Sequence, residues 1–228
     1  MIANYILIVL IMFFGGATAY ANVKKKYSEK LIFKSIASIC FVLIGVFSLN
    51  ERIFSTWQIL IVAGLVFSMI GDVFLAVHAA DLRDQKLFHG FGLAAFTSGQ
   101  ILYILSFLIL TPQFNLLLLI LVLTLPVLVI IGQLTKVLEM DTLSKVGTIV
   151  YAGVIGAMLA TAVNVFLSYG STTFSVCILI GAISMTVSDF ALVLFNYNRK
   201  LKNSLYLIAV LVFYYTAQIL TALSIGLL

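Results

Sequence analysis

Of the eight acidic side chains in this sequence, six stand in the stretches between apolar runs: Glu29, Glu51, Asp81, Asp84, Glu139 and Asp141. The other two, Asp72 and Asp189, stand inside apolar runs, nine residues before Asp81 and ten before Arg199 respectively. A carboxylate deep in hydrocarbon costs about 2.5–3.5 kcal/mol on insertion scales, so its polar end has to face protein or water. Two carboxylates opening on one cavity of low dielectric cannot both be charged cheaply. They would share a proton, which is the state that supplies one acid and one base. Asp72 and Asp189 are therefore the candidate catalytic residues.

The apolar runs also carry Ser68, Gln100, Tyr103, Ser106, Tyr151, Asn164, Thr186, Ser188, Tyr214, Tyr215, Thr216 and Gln218. Single Ser and Thr residues in a span ordinarily bond their own backbone, whereas Gln100 and Gln218 are costlier to bury and are expected to line a cavity. Lys34, just inside its run, is expected either to snorkel back to the interface or to reach a lipid phosphate. The groups expected to meet a substrate are thus Lys34, Ser68, Gln100, Tyr103, Tyr151, Ser188, Tyr214, Tyr215 and Gln218.

Other chemistries lack the residues to perform them. Cys40 and Cys177 both lie in apolar runs and offer neither a disulfide framework nor a zinc site. His78 and His89 flank one loop without the spacing of a metal motif, so no metal and no cofactor is expected. Serine-hydrolase elbows, phosphate-binding glycine loops and dinucleotide fingerprints are missing. Thirteen cations spread over 228 residues do not make a nucleic-acid surface.

The elements that hold these residues follow from composition. With 63% hydrophobic and 9% charged residues and a mean hydropathy of +1.22, the chain could not hide its apolar surface in water. It reads as an all-α polytopic membrane protein of eight transmembrane helices, over 3–21, 31–50, 57–79, 89–110, 115–134, 146–169, 173–197 and 204–227. The first run has no cationic segment before it and is expected to be a retained helix, not a cleaved signal. Twelve of the thirteen Lys and Arg residues fall in loops one, three, five and seven or at their edges, and only Arg52 falls in loops two, four and six. That asymmetry places both termini outside the cytoplasm, in what is expected to be a bacterial cell membrane. Tyr20, Trp57, Tyr169 and Tyr197, near helix ends, are expected in the interfacial belt.

One domain, 1–228, then contains an internal repeat with halves of about 1–112 and 113–228. The stretch from Gly64 to Asp72 aligns with that from Gly181 to Asp189, and Gln100-Ile101-Leu102 aligns with Gln218-Ile219-Leu220. The offsets are 117 and 118 residues. Both aspartates would lie about 14–15 Å inside the same membrane boundary, on helices running the same way, so the halves read as a parallel 4+4 repeat. Along the third run Gly64, Ser68, Asp72, Ala76 and Ala80 make a stripe of small side chains, which admits a close helix or a ligand.

The run from Gly64 to Leu75, the segment from Gly92 to Phe96 leading to Tyr103, the stretch from Gly181 to Asp189 and the closing Tyr214-Tyr215-Thr216-Ala217-Gln218 together resemble the YhhN family of multi-helix membrane proteins, which includes the animal lysoplasmalogenases. The resemblance covers most of the chain. It implies hydrolysis of the vinyl-ether bond of a lysoplasmalogen, giving a fatty aldehyde and a glycerophospho-base such as glycerophosphoethanolamine or glycerophosphocholine. It maps the family's two intramembrane aspartates onto Asp72 and Asp189, and it leads one to expect a histidine where this sequence has Gln100. A glutamine cannot titrate, so proton transfer falls to the aspartates. The implied partners are a lysophospholipid substrate and the bilayer. Alternatives with the same elements are a proton- or cation-coupled transporter and a lipid-binding membrane protein without turnover. Against transport, Pro126 in the fifth run has no counterpart in the first.

Overall fold

The computed structural model describes residues 2–49, 54–80, 85–198 and 203–228; within these, the side chains of 78–80, 85, 86 and 143 are not described. The loop charges Glu51, Arg52, Asp81, Arg83, Asp84, Arg199, Lys200 and Lys202, and the side chains of His78, Ala80 and Lys86, lie outside the described residues.

Among the described residues the chain forms eight helices: α1 (Ile2–Val23), α2 (Tyr27–Phe47), α3 (Thr56–Ala80), α4 (Gln85–Leu110), α5 (Leu119–Leu134), α6 (Thr142–Tyr169), α7 (Thr173–Tyr197) and α8 (Ser204–Ser224). Each is long and apolar enough to cross a bilayer, which makes this an integral multi-pass membrane protein. Helix ends differ from the hydropathy reading where polar caps intervene. α6 begins at Thr142, ahead of its apolar run, because the Asp141 side chain accepts the Ser144 N–H. α5 begins late because Asn115 caps a 3-10 turn, Leu116–Leu118, in front of it.

Successive helices pack as hairpins, α1 on α2, α3 on α4, α5 on α6 and α7 on α8, and α8 also touches α1, α2 and α3. The burial pattern suits lipid. Leu116, Leu117, Ile120, Leu123 and Leu134 face outward, while Thr18, Ser38, Ser68, Asp72, Gln100, Ser106 and Gln218 are buried. Trp57, at the start of α3, is buried against the edge of Phe174, which also takes Tyr169.

Small residues set the helix spacing. The stripe on α3 is met by α4: a side chain at Gly64 would collide with the Tyr103 ring, and Ala76 is fully buried. On α6, a Cβ at Gly156 would come within 2.6 Å of the Leu121 carbonyl of α5, which is backbone and cannot rotate away. Gly156→Ala is therefore expected to lower stability by about 1–3 kcal/mol, seen as a lower thermal midpoint of the purified protein. Gly147→Ala on the same helix meets nothing closer than 3.7 Å and should leave the midpoint unchanged or raised. Equal midpoints for the two variants would mean that α5 yields freely.

Candidate active site

Asp72 is 1% exposed on α3 and is surrounded by donors from two other helices. Lys34 and Ser38 stand four residues apart on α2 and so share a face. The Lys34 Nζ lies 2.8 Å from Asp72 Oδ1, and the Ser38 hydroxyl contacts Oδ2. From α8 the Tyr214 hydroxyl donates to the same Oδ2 at 2.7 Å. Phe41, Phe96 and Tyr215 meet the Tyr214 ring at steep angles and fix its direction. The Lys34 ammonium also lies 5.9 Å from the centre of that ring.

Of the two courses expected for Lys34, snorkelling is not what the structure shows: its side chain is 12% exposed and turns inward to an ion pair with Asp72. Ser38 was not singled out in the sequence; the signal was its position one helical turn after Lys34. Its hydroxyl also lies 2.9 Å from the Lys34 carbonyl, the ordinary backbone contact of a serine in a span.

Asp189 on α7 has a different setting. The Tyr151 hydroxyl of α6 donates to its Oδ2 at 2.9 Å. Beside it lies a cavity of about 20 Å³, walled by Leu125 and Val129 of α5, Thr148, Tyr151 and Ile155 of α6, and Thr186, Phe190 and Val193 of α7. That is room for about one water molecule. Asp72 is not among its walls. The single shared cavity expected from the sequence is therefore not formed by these walls: Asp72 lies among α2, α3 and α8, and Asp189 lies beside a cavity between α5, α6 and α7.

The remaining candidates divide. Tyr103 donates to Gln218 Oε1 at 3.2 Å, joining α4 to α8; Ser68 and Gln100 are fully buried as well, and the Gln100 carboxamide has no partner among the described residues. Among the described residues Ser188 and Tyr215 make no hydrogen bond to either carboxylate: the Ser188 hydroxyl is tied to the Val210 carbonyl at 3.0 Å, and the Tyr215 ring lies against Gly15 of α1. Asn164 is likewise structural, bonding Thr111, the Gln113 carbonyl and the Asn115 N–H.

These four partners of the two carboxylates, Lys34, Ser38, Tyr151 and Tyr214, all fall within residues 29–225, the stretch matched by a model of the YhhN family. The chain belongs to the YhhN family. The match takes in both aspartates and most of the 228 residues, leaving out α1. No curated protein and no solved structure matches the chain. In this YhhN protein the buried acidic groups are thus presented in two ways, one beside a cation and the other beside a phenol and an apolar cavity.

Proposed function

We propose that this YhhN protein is an intramembrane hydrolase that cleaves the vinyl-ether bond of lysoplasmalogens, with Asp72 and Asp189 as its acid and base. The observation that carries the reading is the pair of buried aspartates, each held by donors from neighbouring helices.

The chemistry asks for little else. Protonation of the vinyl β-carbon generates an oxocarbenium ion. Water adds to that ion at carbon and loses a proton, and the resulting hemiacetal collapses to a fatty aldehyde and a glycerophospho-alcohol. One carboxylic acid supplies the proton. One carboxylate stabilises the cation and takes up the water's proton, as two carboxylates do around the oxocarbenium-like transition state of glycosidases. The reacting end of the alkenyl chain would approach Asp189 past the apolar Leu125, Val129, Ile155 and Val193, which must part to admit it, since the cavity as it stands has room for about one water molecule. The headgroup would point toward the cytoplasm, where the positive-inside distribution puts Lys24, Lys25, Lys26 and Lys30, with both termini on the opposite side.

The test is release of long-chain aldehyde, in equal amount with glycerophosphoethanolamine, from lysoplasmenylethanolamine incubated with the purified protein. The matching saturated ether lipid, which cannot form the cation by protonation at carbon, should give none. No aldehyde, together with proton-dependent uptake of a solute into proteoliposomes, would place the protein among transporters.

A further inference from the structure

The settings of the two aspartates differ by one charge, and the difference falls on corresponding positions. Lys34 precedes Tyr151 by 117 residues, and Asp72 precedes Asp189 by the same 117. Each pair ties the second helix of its half to the third, α2 to α3 by the 2.8 Å ion pair and α6 to α7 by the 2.9 Å hydrogen bond. The hairpins that follow correspond too. Gly64 of α3 is filled by Tyr103 of α4, and Gly181 of α7 by Thr221 of α8. The Gly71 carbonyl faces Gly92, and the Ser188 hydroxyl bonds the Val210 carbonyl. In each comparison the offset is 117 on the third helix and 118 on the fourth. A cation therefore stands in one half where a phenol stands in the other.

We propose that Lys34 and Tyr151 are positioning residues that divide the two aspartates, making Asp72 the resting anion and Asp189 the resting acid. This rests on the reading of the pair as acid and base. Asp72 is met by three donors, the Lys34 ammonium on Oδ1 and the Ser38 and Tyr214 hydroxyls on Oδ2. A carboxylate so surrounded has an ammonium beside one oxygen and two hydroxyls on the other, which favours its anion and still leaves a lone pair to receive a proton during turnover. Among the described residues Asp189 has one hydrogen-bond donor, the neutral Tyr151 hydroxyl, and the rest of its cavity wall is apolar apart from Thr148 and Thr186. A second negative charge there would have no cation of its own among these groups. With Asp189 neutral, Lys34 and Asp72 cancel, and the buried group as a whole is uncharged.

The proton balance of turnover follows. Asp189 gives its proton to the β-carbon and becomes an anion as the cation forms. The water that adds to the cation releases one proton to Asp72, and transfer of that proton to Asp189 restores the resting state.

Infrared spectroscopy of the purified protein at neutral pH reads this directly, without substrate. A carboxylic-acid carbonyl band is expected in the wild type and is expected to vanish in Asp189→Asn. In Tyr151→Phe it should persist but move to higher frequency, because the hydrogen bond from the phenol is gone. Lys34→Met should add a second acid band, from an Asp72 that has lost its counter-charge. Absence of the band in the wild type, its survival in Asp189→Asn, or an unmoved band in Tyr151→Phe would each overturn the assignment. Failure of the hydrolase reading looks different: the bands behave as described, but no aldehyde is released.

Discussion

Asp189→Asn is expected to lower aldehyde release at least about 100-fold, the lower end of what a general acid contributes. Asparagine has nearly the shape of aspartic acid, and its carbonyl can still accept the Tyr151 hydroxyl that now reaches Oδ2 at 2.9 Å. What it lacks is a proton to give. Nothing else in the cavity replaces it, since Tyr151, Thr148 and Thr186 are far weaker acids than a carboxyl group and the remaining walls, Leu125, Val129, Ala152, Ile155, Phe190 and Val193, are apolar. Because no buried ion pair is broken, the thermal midpoint of the variant should stay close to that of the wild type. Tyr151→Phe should cost much less, since it removes a donor that orients the acid but not the acid itself. A rate in Asp189→Asn within about threefold of wild type would end any role for this carboxyl as the proton donor.

Much of this arrangement could be read from the chain. Eight apolar runs imply eight spans because no other structure satisfies the backbone in hydrocarbon, and Asp72 and Asp189 stand out because they break that rule. The parts that could not be read depend on rotation about helix axes. Lys34 lies near a helix end, where an ammonium ordinarily escapes to water; only the approach of α3, bringing Asp72 to 2.8 Å, turns it inward. Adjacent tyrosines 214 and 215 are equivalent in composition, yet the helix sends one to Asp72 and the other to Gly15 of α1. Ser38 was hidden for a related reason: its local backbone contact is what most span serines make, and its second contact belongs to another helix. Hydropathy, which fixes where a helix crosses, carries no information about which of its faces meets α2, α6 or α8.

Asp72→Asn is the other large effect, and it is expected in stability as well as rate. The residue it strands is Lys34, which is 12% exposed and has no other carboxylate partner within ion-pair distance among the described residues. Removing one member of a buried pair leaves the other charged and poorly solvated, which costs about 3–5 kcal/mol. The Ser38 and Tyr214 hydroxyls do not offset this, because both are directed at the lost carboxylate oxygen and neither compensates an ammonium charge. The cost should fall sharply when the stranded charge is also removed. In a double-mutant cycle of Asp72→Asn with Lys34→Met, followed by thermal or denaturant unfolding in one detergent, the double variant should be more stable than Asp72→Asn alone. It should still release no aldehyde, since restoring charge balance does not restore the anion that stabilises the cation. If Asp72→Asn unfolds at the wild-type midpoint, Lys34 has somewhere else to place its charge. The ion pair would then not be what holds Asp72 ionised between α2 and α8.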